Sequence, residues 1–332
     1  MNIPSLRLHL PGRFKTCGLW VIGLLAIVII VGGLAHEAAR SAARSELRSA
    51  ATFANAGTHR LRLHCTGSGE RTFVLEAGAT GFAETWHWVQ AELDDYARVC
   101  SYDRAGMGLS EPAPAGFVPG HVATDLRQAL EAAGEQAPYV LVGHSMGGFF
   151  IRDFAARYPQ DTEALVFVDT SHEEQLNRFS PDMVAQFRAF PRLLSALGTL
   201  SMTGLLRAWN PLEAGATGLP EEAMDKARLF AGDREHLAMS AAELTQWDAI
   251  VAGAVKQRLA RGLPVLTVTA GSPVPGSEDF SDMVEPLHRE LASRFDNGQH
   301  AVVEDADHFS ILMNETHAAK LVNLVNAFFA PE

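Results

Sequence analysis

Apolar and β-branched residues gather along this chain in short continuous runs: RLRLHC (60–65), TFVLEAG (72–78), RVCSYD (98–103), YVLVGHS (139–145), ALVFVDT (164–170), PVLTVTAG (264–271) and HAVVEDA (300–306). Several of them lack polar alternation, which is the pattern of strands covered on both faces. Between the runs, apolar residues fall at helical spacing, as in HVATDLRQALEAAG (121–134), and this predicts amphipathic helices. Strands alternating with helices predict a mostly parallel sheet with helices on both faces. One interval departs from the alternation. About 90 residues separate ALVFVDT from PVLTVTAG, far more than a crossover helix needs, and structureless loops of that length are uncommon. The pattern therefore predicts a core over 58–170 and 259–332 interrupted by a helical cap insert over 171–258.

The N-terminus follows another pattern. Residues 17–35, CGLWVIGLLAIVIIVGGLA, carry no charge and follow a basic flank, 1–16, that holds Arg7, Arg13 and Lys15. About 20 apolar residues suffice to cross a bilayer. Two readings follow: a single-pass transmembrane anchor, or a signal peptide cleaved after the small-x-small triplet Gly33-Leu34-Ala35. The preceding basic residues favour an inside N-terminus with the folded domain periplasmic or extracellular, although Arg40, Arg44 and Arg48 beyond the segment reduce the asymmetry. Cleavage would instead give a secreted protein. Residues 36–57, rich in Ala, Ser and Arg, read as a helical or loose linker leading away from the membrane.

Composition narrows the classes. The chain has 332 residues, 47% of them hydrophobic, enough for a large core, and a net charge of −12. With no Lys/Arg cluster in the body of the chain, nucleic acid is excluded as a partner, because phosphates reward clustered cations. No Cys-x-x-Cys or His-Glu-x-x-His occurs, so no metal site or cofactor is expected.

The strand YVLV runs into Gly143-His144-Ser145-Met146-Gly147, and MGGFFIRDFAARYP continues as a helix stopped by Pro159. Gly-x-Ser-x-Gly between strand and helix is a nucleophile elbow. Its tight turn lifts the serine hydroxyl above the sheet edge beside the N–H groups of a helix start. A serine hydroxyl needs a base to take its proton. Of 13 histidines, His308 in EDADHF is placed to do so, just past the last run and before the final helix.

With these motifs the chain resembles the α/β-hydrolase superfamily, in its esterase, lipase and peptidase-like branch, over roughly residues 58–330. VLEAGATGFAETW is similar to the family's oxyanion loop and SYDRAGMGLSEP to its fourth-strand turn. The resemblance implies a fold of parallel strands with an inserted cap and Ser145 as nucleophile. It also implies His308 as base and an oxyanion hole made by the N–H groups of Ala79 and Met146. Ala77 stands where many relatives carry histidine, but only backbone atoms are needed there. The third triad member departs from the pattern. The usual slot after the penultimate strand reads Gly271-Ser272-Pro273, so the acid is expected at Asp169, ending the preceding strand, with Glu278 or Asp279 as the alternatives. Asp103 and Arg104 read as an ion pair or turn, and Asp305 and Asp307 as turn formers. In the family topology Cys65 and Cys100 lie on neighbouring strands, so the resemblance implies either a disulfide or two small buried hydrophobes.

The apolar insert stretch MVAQFRAFPRLLSALGTLSMTGLLRAWNP would line a pocket for a hydrophobic acyl group or simply pack on itself. The expected activity is hydrolysis of a small-molecule ester through an acyl-enzyme, with acyltransferase or peptidase chemistry as the alternative. A serine at the elbow excludes the aspartate-nucleophile chemistry of dehalogenases and epoxide hydrolases. A binding protein on this scaffold would be expected to lose the serine or the histidine.

Overall fold

In the computed structural model, the described residues are 12–204, 206, 210, 212, 216–273 and 280–330, without the side chains of 12–19, 21–22, 25–30 and 280–282. The chain begins with helix α1 (Gly12–Ala50), then β1 (Phe53–Asn55) and β2 (Arg60–Thr66). The core continues through β3 (Thr72–Glu76), α2 (His87–Leu93), β4 (Arg98–Tyr102), α3 (Val122–Ala133), β5 (Tyr139–His144), α4 (Gly147–Arg157) and β6 (Thr162–Val168). Among the described residues five α-helices follow before the next strand: α5 (Gln175–Arg178), α6 (Pro181–Ser201), α7 (Glu221–Ala231), α8 (Arg234–Thr245) and α9 (Trp247–Lys256). The core closes with β7 (Val265–Ala270), α10 (Phe280–Ser293), β8 (Gly298–Val303), α11 (Ser310–Met313) and α12 (Glu315–Phe329).

The eight strands form one sheet in the order β1-β2-β4-β3-β5-β6-β7-β8. From β4 to β8 all neighbours are parallel, while β1 and β2 add an antiparallel edge. Each of the seven apolar runs overlaps a strand. Strands β3, β5 and β7 are buried along their whole length, as expected where helices cover both faces. Burying a Val or Leu such as Val140 or Leu141 contributes roughly 1.5–3 kcal/mol. Strand β1 has only three residues, too few to show a period. It forms because Phe53, Ala54 and Asn55 pair with Arg62, Leu61 and Arg60.

The 36–57 stretch, expected as a linker, holds the end of α1 and all of β1. Leu47 packs on the core, Arg44 reaches Asp233 at 2.6 Å, and Arg48 bonds the Leu109 carbonyl. Regular Arg spacing at 40, 44 and 48 aligns these cations on one helix face. The 17–35 segment lies within α1. Among the described residues no helix is long and apolar enough to cross a membrane, and the side chains of 25–30, at the centre of that segment, lie outside them.

Cys65 and Cys100 face each other across the β2–β4 pair and are joined by a disulfide. The sheet order sets β5 between β3 and β6. The loops leaving the C-terminal ends of β3, β5, β6 and β8 therefore open on one side of the sheet, where such folds place their ligands.

Candidate active site

Ser145 occupies the turn between β5 and α4 with φ of 52°, a left-handed conformation that non-glycine residues seldom adopt. The turn is bound from both sides. Ser145 donates its N–H to the Val168 carbonyl at 3.2 Å, and its own carbonyl accepts from Gly148 and Ser171. Gly147 has no room for a side chain, since a Cβ there would lie 2.6 Å from the Glu76 carbonyl oxygen and 2.7 Å from that of Ala77. The start of α4 is thereby pressed onto the end of β3.

Asp169 follows β6 with φ of 42° and is 3% exposed. One carboxylate oxygen accepts from the Ala270 N–H at 3.0 Å. The other accepts from His308 Nδ1 at 2.6 Å. His308 sits in the turn after β8. Asp307 fixes that turn by accepting from the N–H groups of Phe309 and Ser310, each at 2.9 Å, while Asp305 pairs with Lys320 on the surface. Asp307 is thus a turn former, as expected, whereas Asp305 reaches α12 instead. Behind the imidazole, His144 donates from Nε2 to the His308 carbonyl at 2.8 Å. The alternative acids Glu278 and Asp279 lie outside the described residues.

Ser145 and His308 line one cavity of about 300 Å³. Its walls come from the loop after β3, including Ala79, and from apolar side chains of the insert such as Phe190, Leu212 and Leu237. Met146, the other expected oxyanion donor, stands at the N-cap of α4.

A model of the α/β hydrolase fold family matches residues 71–315, well over half of the chain. The chain belongs to the α/β hydrolase fold family. It is 32% identical over 105 residues to an AB hydrolase superfamily protein of Gibberella zeae, covering 30% of this chain and 33% of that protein. It is 38% identical over 99 residues to a vacuolar membrane protein of Saccharomyces cerevisiae, covering 29% of this chain and 15% of that one. The chain thus spans well under half the length of both relatives. Among solved structures it is similar to a thermophilic esterase from Thermogutta terrifontis, with a TM-score of 0.59, 20% identity and coverage of 84% of this chain and 99% of the esterase. That likeness is one of fold.

The electrostatics of this α/β hydrolase site separate its groups. Burial by itself would raise the Asp169 carboxyl, but the hydrogen bond and charge of His308 hold it down at about 2. Burial, with His308 alongside, drives His144 down to about 3. His144 is therefore a neutral donor that fixes the His308 backbone.

Several residues near the site escaped the sequence reading. Arg104 does not pair with Asp103. Its guanidinium instead bridges Glu76 at the end of β3 and Glu243 on α8. Asp103 accepts from the N–H groups of Ala83 and Leu109 at 2.8 Å each and lies 3.6 Å from Arg62. A glutamate inside a buried apolar run was the available signal for Glu76, because buried charges need partners. Glu243 and His236 lie on the insert and left no signal of their contacts. Behind Asp169, His288 donates to the Thr170 carbonyl at 2.7 Å, steadying the turn that follows Asp169. Among the described residues, Cys65, Cys100 and Glu135 form a group with metal-ligand spacing, but both sulfurs are already joined to each other.

Proposed function

We propose that this α/β hydrolase is a serine esterase acting on small-molecule esters with an apolar acyl group, and that Ser145, His308 and Asp169 are its catalytic triad. The observation that carries the reading is the 2.6 Å contact from His308 Nδ1 to Asp169, made by a histidine that shares a cavity with Ser145. With Nδ1–H held by the carboxylate, Nε2 is the basic nitrogen.

In the first half-reaction Nε2 takes the Ser145 proton as Oγ bonds to the ester carbonyl carbon. The resulting alkoxide receives hydrogen bonds from the N–H groups of Ala79 and Met146. Collapse breaks the bond to the alcohol, which leaves with the proton from His308, and Ser145 carries the acyl group. Water then repeats the cycle, giving its proton to His308 and releasing the acid. Apolar walls at Phe190, Leu212 and Leu237 favour a hydrocarbon acyl chain.

The reading includes attachment to a membrane through the uncharged 17–35 segment, with the folded domain on the outer face. The Cys65–Cys100 disulfide supports an oxidising compartment, and the similarity to a yeast protein named as vacuolar membrane is in keeping with an anchor.

The test combines fluorophosphonate labelling with turnover of p-nitrophenyl esters of increasing length. Labelling that maps to Ser145 is expected. A wild-type protein that neither labels nor cleaves any of the esters would refute the esterase reading. Recovery of the full-length chain as soluble cytoplasmic protein would remove the membrane part.

A further inference from the structure

The loop that follows β3 is held by a side chain with no donor to spare. Arg104 is 4% exposed and uses all five of its N–H donors. Nη1 donates to Glu76 Oε1 and to the Ala77 carbonyl, each at 2.6 Å. Nη2 donates to the Gly78 carbonyl and to Glu243 Oε2, each at 2.8 Å, and Nε donates to Glu243 Oε1 at 2.7 Å. The guanidinium plane is thus locked between two carboxylates, and its remaining donors fall on two successive carbonyls of the loop.

The Gly78 carbonyl belongs to the same peptide unit as the Ala79 N–H. It also accepts from the Gly81 N–H at 3.1 Å. Across a planar trans peptide the C=O and N–H vectors point in opposite directions. Fixing the carbonyl on Arg104 therefore aims the Ala79 N–H away from Arg104. The loop runs against the nucleophile, for a Cβ on Gly78 would lie 2.9 Å from Ser145 Cβ.

A second contact acts on the other side of Ala79. His236 shares the cavity wall with Ala79 and Ser145. Its Nδ1 accepts from the Gly108 N–H at 3.1 Å, which places the ring proton on Nε2, and Nε2–H donates to the Thr80 carbonyl at 3.0 Å. Thr80 is β-branched and has φ of 61°, a conformation that must be held by its surroundings. His236 and Glu243 are seven residues apart on α8, two helical turns, so both lie on the face turned to the loop.

We propose that α8 of the insert is the positioning element of the oxyanion loop: Glu243 acts through Arg104 on the Gly78–Ala79 peptide, and His236 acts on Thr80. Neither carboxylate nor imidazole needs to touch substrate. Both restrict the direction of one N–H, and an oxyanion hole contributes in proportion to how well its donors are set before charge develops. The insert then shapes the pocket and also tunes the chemical step. This inference rests on the esterase reading of the site.

The experiment compares Glu243→Gln, His236→Ala and His236→Gln with wild type in the full-length chain in detergent. The readouts are kcat and KM for a p-nitrophenyl ester and affinity for a trifluoromethyl ketone, which forms a hemiketal oxyanion on the serine. Glu243→Gln is expected to lower kcat about tenfold or more with KM nearly constant, and to weaken the ketone by the same factor. His236→Ala is expected to do likewise, and His236→Gln to recover much of the loss, because its amide N–H can still reach Thr80. If both Glu243→Gln and His236→Ala keep wild-type kcat and ketone affinity, or lose only melting temperature or KM, the proposal is overturned. Should Glu243→Gln fail to fold, the Ala and Gln variants of His236 decide the matter. Absence of ester turnover and Ser145 labelling in the wild type would instead overturn the esterase reading and this inference with it.

Discussion

His308 Nδ1 lies 2.6 Å from Asp169 Oδ2 across 139 residues of chain. The contact exists because β6 and β8 end on the same side of the sheet with β7 between them. Asp169, at a strand end and bound to the Ala270 N–H, is a rigid partner for the imidazole.

Replacing Asp169 with Asn should leave the fold intact and cut kcat by about 10⁴-fold, since the amide favours the wrong imidazole tautomer. Steady-state turnover checks this. Glu278→Gln and Asp279→Asn should change turnover little, and a loss at either site matching that of Asp169→Asn would displace Asp169 as the acid. Ser145→Ala should abolish fluorophosphonate labelling, and persistent labelling at the wild-type rate would exclude Ser145 as nucleophile.

Stability should fall as pH drops below about 6.5, the ordinary histidine value. Burial holds His144 down at about 3 and His236 at about 4, so both are neutral in the folded protein while the unfolded chain protonates. Stability from each is present above pH 6.5 and is lost as pH falls toward those folded values, at about 1.4 kcal/mol per pH unit for each group. Urea melts at pH 7 and pH 5 measure the slope. His236→Gln should flatten it, and a slope unchanged by that substitution would remove His236 as a contributor.

Acyl length should matter. A cavity of about 300 Å³ holds about ten groups of roughly 30 Å³ each, the share of one water. Values of kcat/KM should rise with p-nitrophenyl ester length up to about that number of heavy atoms and fall beyond it. A maximum at the acetate ester would contradict the apolar walls as an acyl site.

Asp233 joins α1 to the insert. It is fully buried, caps α8 by accepting from the N–H groups of Glu235 at 2.8 Å and His236 at 3.0 Å, and pairs with Arg40 and Arg44. Asp233→Ala removes the cap and the buried partner of two cations, leaving Arg40 with Glu37 and Arg44 with Glu235, so it should destabilise the protein by roughly 3 kcal/mol. Denaturant titration would show this, whereas a loss below about 1 kcal/mol would mean that α1 is not held by this clamp.

The sequence by itself determined the elements whose signal is local. Continuous apolar runs marked the central strands such as β3, β5 and β7, because a strand buried on both faces has no polar positions to spare, whereas β2 and β8 are partly exposed and were marked by shorter apolar stretches. The Gly-x-Ser-x-Gly turn and the EDADHF stretch were legible for a similar reason, since a sharp strand-to-helix turn constrains its own residues. Strand β1 escaped because three residues cannot display a period, and α1 ran through the expected linker because Arg40, Arg44 and Arg48 have their partners in Asp233, Leu109 and Glu111. Only tertiary structure decided which partner each buried carboxylate meets. Asp169 against His308 and Glu243 against Arg104 are each 139 residues apart, and nothing local in either stretch encodes the other. Burial makes such pairings obligatory, because a desolvated charge must find a partner, but the identity of that partner follows from the order in which the sheet and the insert bring distant loops to one edge.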